Sequence, residues 1–338
     1  IENAESVPTE VPQDDGVISP IVVQGFRAAL ETSVAEKRNS ELILESVTAE
    51  DIGKLPDSSI GESIARLPGV TSQRLNGRAN VISIRGLGPD FSQTLLNGRE
   101  QTSTGDARAV EFDQYPAEVV NQVVVYKTPS ASLVGQGLVG TIDVRTIRPL
   151  EAKERVFAIG ARGSYADIGA LNSGSKDTGY RVNATYVDQF ADDSLGLALS
   201  ASYVDEPYQL QEYNAWGYAD QNGDALLGGA KPYVTSTPLK RFGTTGTLQY
   251  RPADEWMVTL DAFYSNFDDD QIKRGIELPL GFGGGNGVSF VPNSGAVTDG
   301  TYTSGTFQNV RGVIRNDVFN RKADLYSGGL NVNYEGDD

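Results

Sequence analysis

From Arg155 onward the chain alternates between two kinds of residue. Leu195, Leu197, Leu199, Ala201 and Tyr203 fall on one parity, and Gly196, Ala198, Ser200 and Ser202 on the other. Trp256, Val258, Leu260, Ala262 and Tyr264 alternate with Met257, Thr259, Asp261 and Phe263. Tyr180, Val182, Ala184 and Tyr186 alternate with Arg181, Asn183, Thr185 and Val187, and 242–251 and 323–335 read the same way. A period of two means strands whose two faces meet different surroundings. The runs last about 10–13 residues, against ~5–6 in ordinary sheets. A tilted membrane strand needs ~9–11. Short connections, at Asp192-Asp193 and 252–255, trade places with long ones expected at about 206–239 and 268–321. Tyr165, Phe190, Tyr203, Tyr250, Trp256, Tyr264 and Tyr334 stand near strand ends.

Short turns on one side, long loops on the other and aromatic ends fit a transmembrane β-barrel. A soluble β-sandwich is the competing architecture, and it would bury those aromatics in a core. Before residue 150 the signals are mixed. Ser59 and Glu62 have the spacing of a capping box, and Ile60, Ile64 and Leu67 lie on one face of a two-turn helix ended by Pro68-Gly69. Short strands are expected at 81–84, 94–96, 123–126 and 140–146, and a short helix at 117–121 behind Pro116. The expected fold is therefore an α+β domain inside an all-β antiparallel transmembrane barrel. The strands legible here number about six or seven, and about eight is the smallest barrel that its own side chains fill. Only the first several barrel strands are therefore expected in this chain.

Composition narrows the chemistry. The 338 residues contain no cysteine and no histidine. That removes disulfides, thiolate nucleophiles, Ser-His-Asp relays and imidazole metal sites. A formal net charge of −17 opposes nucleic-acid binding, which needs a basic face. No catalytic, cofactor or metal site is expected. Residues 1–17 carry Glu2, Glu5, Glu10, Asp14 and Asp15 without a basic residue and read as a flexible acidic tail. Gly135, Gly137 and Gly140 match a dinucleotide-site spacing but lead into a strand, so no helix N-terminus faces a phosphate. Asp220, Asn222 and Asp224 read as turn chemistry. Asp268-Asp269-Asp270 reads as a solvated loop charge run, or a divalent-cation bridge to lipopolysaccharide.

Four motifs in order carry a family resemblance. They are Ser83-Ile84-Arg85-Gly86-Leu87-Gly88, then Leu95-Leu96-Asn97-Gly98-Arg99, then 124–129, then 135–146. Together they resemble the plug domain of TonB-dependent outer-membrane transporters, here expected at 28–150, with barrel strands at 151–338. The longer stretch 55–116 resembles a subgroup of xanthomonads and caulobacters, several of which import oligosaccharides. Thr128-Pro129 stands where many plugs have Gly-Pro. The segment 18–27, with Ser19, Pro20, Ile21, Val22, Val23, Gln24 and Gly25, resembles a TonB box, which adds a strand to a partner's sheet edge.

The resemblance implies energised uptake, with TonB and the inner-membrane ExbB–ExbD motor as partners and outer-membrane lipid and lipopolysaccharide around the wall. It implies ligand contacts on two apical loops, at Arg74, Asn76, Arg78 and Asn80, and at Thr102, Thr104, Asp106 and Arg108. Tyr213 and Trp216 in the next long loop suit stacking on sugar rings. An oligosaccharide is the expected ligand. A siderophore or other nutrient, a passive porin-like or structural protein, and a soluble carboxylate glycosidase are the alternatives. Arg85, Gly86, Asn97, Gly98, Gly135 and Gly140 are expected to shape the plug, with Arg85 as a buried guanidinium held by wall carboxylates.

Overall fold

The structure, a computed structural model, describes residues 33–48, 59–133, 135, 137–152 and 154–336. The N-terminal domain opens with helix at 33–39. It continues through β1 (Leu44–Thr48), α1 (Ile60–Ile64), β2 (Val70–Leu75), β3 (Arg78–Ile84), β4 (Ser92–Leu96), β5 (Arg99–Glu100), β6 (Gln122–Tyr126) and β7 (Gly140–Arg145). Five strands form one sheet in the order β1-β6-β7-β4-β5, with β4 and β7 parallel, while β2 and β3 form a separate hairpin. Ile60, Ile64, Val70, Ile82, Ile84, Val123, Val125, Ile142 and Val144 make the core between them.

α1 is shorter than the expected two turns. Ser59 occupies the N-cap without a side-chain cap bond, and Glu62 pairs with Arg74 at 3.1 Å instead of closing a capping box. At 117–121 only a 3-10 turn forms, Ala117–Val119. Val119 is buried there, and Asn121 N–H bonds Arg145 O in the sheet at 2.8 Å, which ends the turn.

The second part is one wall. β8 (Val156–Tyr165), β9 (Thr178–Phe190) and β10 (Leu195–Ala215) lead to a small hairpin, β11 (Tyr218–Gln221) and β12 (Asp224–Leu227). β13 (Gly229–Tyr250) and β14 (Trp256–Pro279) follow, then the short strands β15 (Ser289–Phe290), β16 (Val297–Thr298), β17 (Thr301–Tyr302) and β18 (Phe307–Gln308), then β19 (Val313–Tyr334). Six long strands pair antiparallel in the order β19-β14-β13-β10-β9-β8, an open portion of a barrel.

The expected loop at 206–239 is mostly ladder, and of 268–321 both ends are ladder, up to Pro279 and from Val313, leaving 280–312 between them. β10, β13, β14 and β19 run 21, 22, 24 and 22 residues, because pairing continues where the apolar alternation stops. The run Asp268–Asp270 therefore lies within β14 and not in a loop. Asn222 and Gly223 hold positive φ at the β11–β12 turn, so Asp220 and Asp224 flank a hairpin tip. The match at 135–140 opens β7, as its strand context requires.

Strand register sorts the two faces. Leu199, Gly246, Ala262 and Gly328 form one outward row, and Ala201, Thr244, Tyr264 and Tyr326 the next. Trp256 packs on Tyr334 at 4.8 Å at the short-turn end, and Tyr264 on Tyr326 at 4.9 Å at the other. These aromatic rows lie roughly 26 Å apart along β14 at ~3.3 Å per residue, comparable with a ~25 Å apolar band. The inward parity carries Thr245, Thr247, Thr259, Asp261, Ser265 and Asp269, all buried against the N-terminal domain.

Leu260 faces outward midway between the aromatic rows and is 50% exposed. Leu260→Arg should cost about 2–4 kcal/mol of stability in lipid. Urea titration of protein folded into vesicles measures this, and a midpoint equal to the parent's would contradict the assignment of faces.

Candidate functional site

The N-terminal domain is seated on the wall through the segment between β5 and β6. Asp113 accepts from Arg78 Nε at 3.0 Å and from Arg321 Nη2 at 3.3 Å. Asp269, on β14, accepts from Arg78 Nη2 at 2.5 Å and from Arg321 Nη2 at 3.3 Å. Both guanidiniums lie over the Phe267 ring, at 5.4 and 4.5 Å from its centre. Two cations and two anions thus cancel in a place where Arg78 has no exposed surface and Asp113 has 1%. Charges out of water need that balance, since any one left alone carries the desolvation cost of its burial.

The seam continues along the wall. Fully buried Arg241 on β13 donates to the Asp113 carbonyl. Arg181 on β9 bridges Glu118, at 3.1 Å, to Glu206, at 2.7 Å. Burial alone would raise the Glu118 pKa; the nearby Arg241 and Arg181 guanidiniums outweigh it and hold the carboxyl below its ordinary range. Burial, with Glu111 nearby, pushes the Tyr115 phenol well up, and its ring stacks on Phe263 of the wall at 5.3 Å. Ser265 Oγ donates to the Gln114 carbonyl at 2.7 Å. Gly243 faces Pro116 so closely that a side chain would run into its ring, and a side chain at Gly329 would run into the Arg99 guanidinium.

The Asn97-Gly98 turn is a second anchor. Both residues hold positive φ, which closes β4 onto β5. Asn97 Oδ1 accepts Thr146 N–H at 2.9 Å, and Asn97 Nδ2 donates to Asp261 of the wall at 2.7 Å. Arg99 binds the same Asp261 with two hydrogen bonds, at 2.7 and 2.9 Å.

Above this seam, Gln93, Gln101, Thr102 and Arg108 line a cavity of about 460 Å³ that Leu325, Tyr326 and Ser327 of β19 close on one side. Of the expected ligand contacts, Thr102 and Arg108 reach this cavity. Thr104 and Asp106 are exposed on the same loop, which Asp90 ties down by accepting the Arg108 and Ala109 N–H groups at 3.1 and 3.0 Å. Arg74 is exposed on the β2–β3 hairpin, and Asn76 at its tip donates to Gln271 of the wall at 3.2 Å. Arg78 and Asn80 are not loop residues. They lie on β3 and are buried, and the Arg78 guanidinium is committed to carboxylates. Tyr213 is exposed near the top of β10, while Trp216 packs on Gly229 beneath Lys231, so neither lines the cavity.

The buried guanidinium expected at Arg85 is found at Arg78 instead. Arg85 turns out of β3 at φ 54°, followed by Gly86 at 76°, and is exposed. Gly135 is exposed, and Gly140 opens β7 where a side chain would collide with the Tyr126 carbonyl. The segment 18–27, with Ser19 to Gly25, lies outside the described residues. Sequence reasoning missed Asp113, Glu118, Arg241, Asp261, Asp269 and Arg321. For Asp261 and Asp269 a signal exists: both share the inward parity of Thr259 and Ser265 on β14, where a charge needs a partner.

Among known proteins, residues 36–142 match the TonB-dependent Receptor Plug Domain. A probable TonB-dependent siderophore receptor, PirA of Acinetobacter baumannii, is 28% identical over 227 residues, covering 55% of this chain and 29% of that protein. The ferric enterobactin receptor PirA of Pseudomonas aeruginosa is 28% identical over 147 residues, covering 39% and 20%. Among solved structures, the siderophore receptor PirA from Acinetobacter baumannii aligns with TM-score 0.42 at 14% identity, covering 72% of this chain and 46% of that one. The ferric citrate transporter FecA aligns with TM-score 0.45 at 12% identity, covering 91% and 62%. The chain spans under a third of the length of these curated relatives. The plug match and the curated relatives support a TonB-dependent receptor, and the relatives' names are those of receptors, not enzymes. The chain is an outer-membrane protein with an α+β plug seated on part of a β-barrel wall.

Two outcomes test the seam. Arg78→Ala leaves Asp113 and Asp269 sharing Arg321 alone, and should weaken plug seating by about 3–5 kcal/mol. Entry of a large antibiotic normally excluded by the outer membrane reads this as leak through the pore; intact exclusion would contradict it. The depressed Glu118 pKa stabilises seating in full above the ordinary value of 4.5 and loses that contribution as pH falls below it. Glu118→Gln should therefore flatten the acid side of the melting-temperature profile between pH 6 and 3. A variant that keeps the parent's acid slope would exclude Glu118 as its source.

Proposed function

We propose that this plug-and-wall chain serves energised uptake of a nutrient across the outer membrane, driven through TonB and its ExbB–ExbD motor. Binding occurs where the plug's 101–110 loop and hairpin tip approach the extracellular ends of the wall strands. The observation carrying this reading is the plug itself: a folded domain occupying the inner face of a pore wall is needless in an open porin. The outer membrane holds no ATP, so moving such a plug requires work delivered from elsewhere. A short extended segment can receive that work by strand addition, and Ser19, Pro20, Ile21, Val22, Val23, Gln24 and Gly25 have the composition for it.

A ferric siderophore is the favoured cargo. The curated relatives are named as siderophore receptors, and that supports this ligand over the oligosaccharide expected from the loop chemistry. The subgroup resemblance to xanthomonad and caulobacter sugar importers gains no support from those relatives. Exposed Arg74 and cavity-lining Arg108 offer guanidinium donors to an anionic chelate.

Deleting 19–25 separates energised from passive transport. Cells carrying the deletion should bind a radiolabelled ferric siderophore at the surface yet fail to accumulate it under iron limitation. Accumulation at the parent's rate would identify a passive pore.

A further inference from the structure

We infer that Glu111 is a positioning residue for the cavity: its carboxylate fixes the plug's 101–110 loop in the shape that meets the cargo, without touching the cargo itself. This rests on the uptake reading above, in which that cavity receives the ligand. Gln101, Thr102, Ser103, Gly105, Ala107 and Arg108 of the loop line the cavity. The loop runs without helix or strand and exposes Thr102, Thr104, Asp106 and Arg108. Left to itself, such a polar segment would lose backbone freedom at every binding event, and affinity would fall accordingly.

Glu111 removes that freedom before any ligand arrives. It is buried, 9% exposed, and each carboxylate oxygen takes a bond from the loop. Oε1 accepts Ser103 Oγ–H at 2.9 Å, and Oε2 accepts Thr104 N–H at 3.0 Å. Ser103 Oγ in turn accepts Gly105 N–H at 2.9 Å. The chain wraps the carboxylate so closely that a Cβ added at Gly105 would stand 3.2 Å from Oε1. One carboxylate, one hydroxyl and two amides thus set 103–105 as a single turn.

Neighbouring side chains hold the rest of the loop. Gln114 Nε2 donates to Thr104 Oγ1 at 2.5 Å, and Tyr115 O–H donates to Gln101 Oε1 at 3.2 Å. With Asp90 on the Arg108 and Ala109 amides, the loop is fastened at its entry, middle and exit. None of Asp90, Glu111, Gln114 and Tyr115 lines the cavity. The charge at Glu111 has a reason in the donor count. Both loop groups that reach it are donors, so both of its oxygens must accept, which a carboxylate does and an amide cannot. A buried anion is a costly way to fasten a loop, and the geometry of the binding surface is what it secures.

Loop shape and plug seating are separable in this arrangement, although they share one segment. Glu111 precedes the 3-10 turn Phe112–Gln114, which carries Asp113 of the clamp. Removing the Glu111 carboxylate frees 103–105 but leaves Arg78, Arg241 and Arg321 on Asp113. Removing the Arg78 guanidinium weakens the clamp but leaves Ser103 and Thr104 on Glu111.

Hydrogen exchange and binding of iron-loaded enterobactin, both on the detergent-purified full receptor, test this beside antibiotic exclusion in cells. Glu111→Ala should speed exchange of the Thr104 and Gly105 amides and weaken ferric enterobactin binding about tenfold, the ordering cost of roughly one backbone residue. Its antibiotic exclusion should stay at the parent's level. Glu111→Gln keeps the acceptor for Ser103 but sets an NH2 group against the Thr104 N–H, and should fall between. Arg78→Ala should show the reverse split, leak with both amides still protected. Unchanged exchange in Glu111→Ala, leak as large as in Arg78→Ala, or parental affinity beside faster exchange would overturn the inference. A parent that binds no ferric enterobactin, with faster exchange in Glu111→Ala, would strike that cargo and support the positioning of the loop.

Discussion

The plug meets the inner face of the wall mainly through charged and polar groups, with little apolar contact. The seam between plug and wall is built around a neutral set of four charges, Arg78, Asp113 and Asp269 buried and Arg321 partly open to water. Asp113 and Asp269 each face Arg78 and Arg321, and no member of the set could be desolvated alone. Such a set adds little net stability compared with apolar packing. It does define one position sharply, because a displacement of one residue along β14 would set Arg78 beside Asp268 or Asp270, which face outward, and leave it without Asp269. Among the described residues, only Phe263 and Leu325 of the wall join the plug's apolar core. Placement is thus set by charge, and apolar contact at the seam is kept small.

The wall meets this constraint by separating its faces residue by residue. On β14, Tyr264 points to the membrane and Ser265 to the Gln114 carbonyl. Asp268 faces the head-group zone and Asp269 the plug. The strand carries both tasks because a period of two gives each neighbour a different solvent. That also explains the net charge of −17 beside a hydrophobic content of 39%. Many of the acids lie on the inner face and above the apolar band, where they meet arginines, backbone or water.

The same physics decides what could be read from the sequence. The membrane-facing segments of β10, β13 and β14 were legible because lipid and lumen impose opposite chemistry on alternate residues. Above the outer aromatic row both faces are polar. The alternation fades, and ladder that continues to Pro279 reads as loop. Arg78 was hidden by composition. The stretch Arg74–Asn80 is polar throughout and looks like an apical loop, yet Asn76-Gly77 is a two-residue turn with both residues at positive φ. Read as a hairpin signal, that dipeptide starts a strand at Arg78 and carries its side chain inward. Arg85 drew attention instead because it follows an apolar run, but Gly86 behind it turns the chain outward. Asp113 and Glu118 had no local signal, since their partners lie 35, 63 and 208 residues away in sequence.

Chain order adds a mechanical consequence. The clamp residues Asp113 and Glu118 lie between β5 and β6, in the middle of the plug sequence, whereas β1 lies at the edge of the plug sheet and touches only β6 within it. Its five-residue ladder is reinforced by Lys37 and Lys127 on Glu45, at 2.8 and 3.4 Å, and the helix before it is held by Glu36 on Arg145 at 3.0 Å. The Lys37–Glu45 and Glu36–Arg145 pairs are partly open to water, so they are weak beside the buried clamp. Under the proposed energised function, traction from the N-terminal side would load the edge strand and its ion pairs before Arg78. Strength increases along the path of the force, and the part of the plug that fixes its position in the wall is the part loaded last.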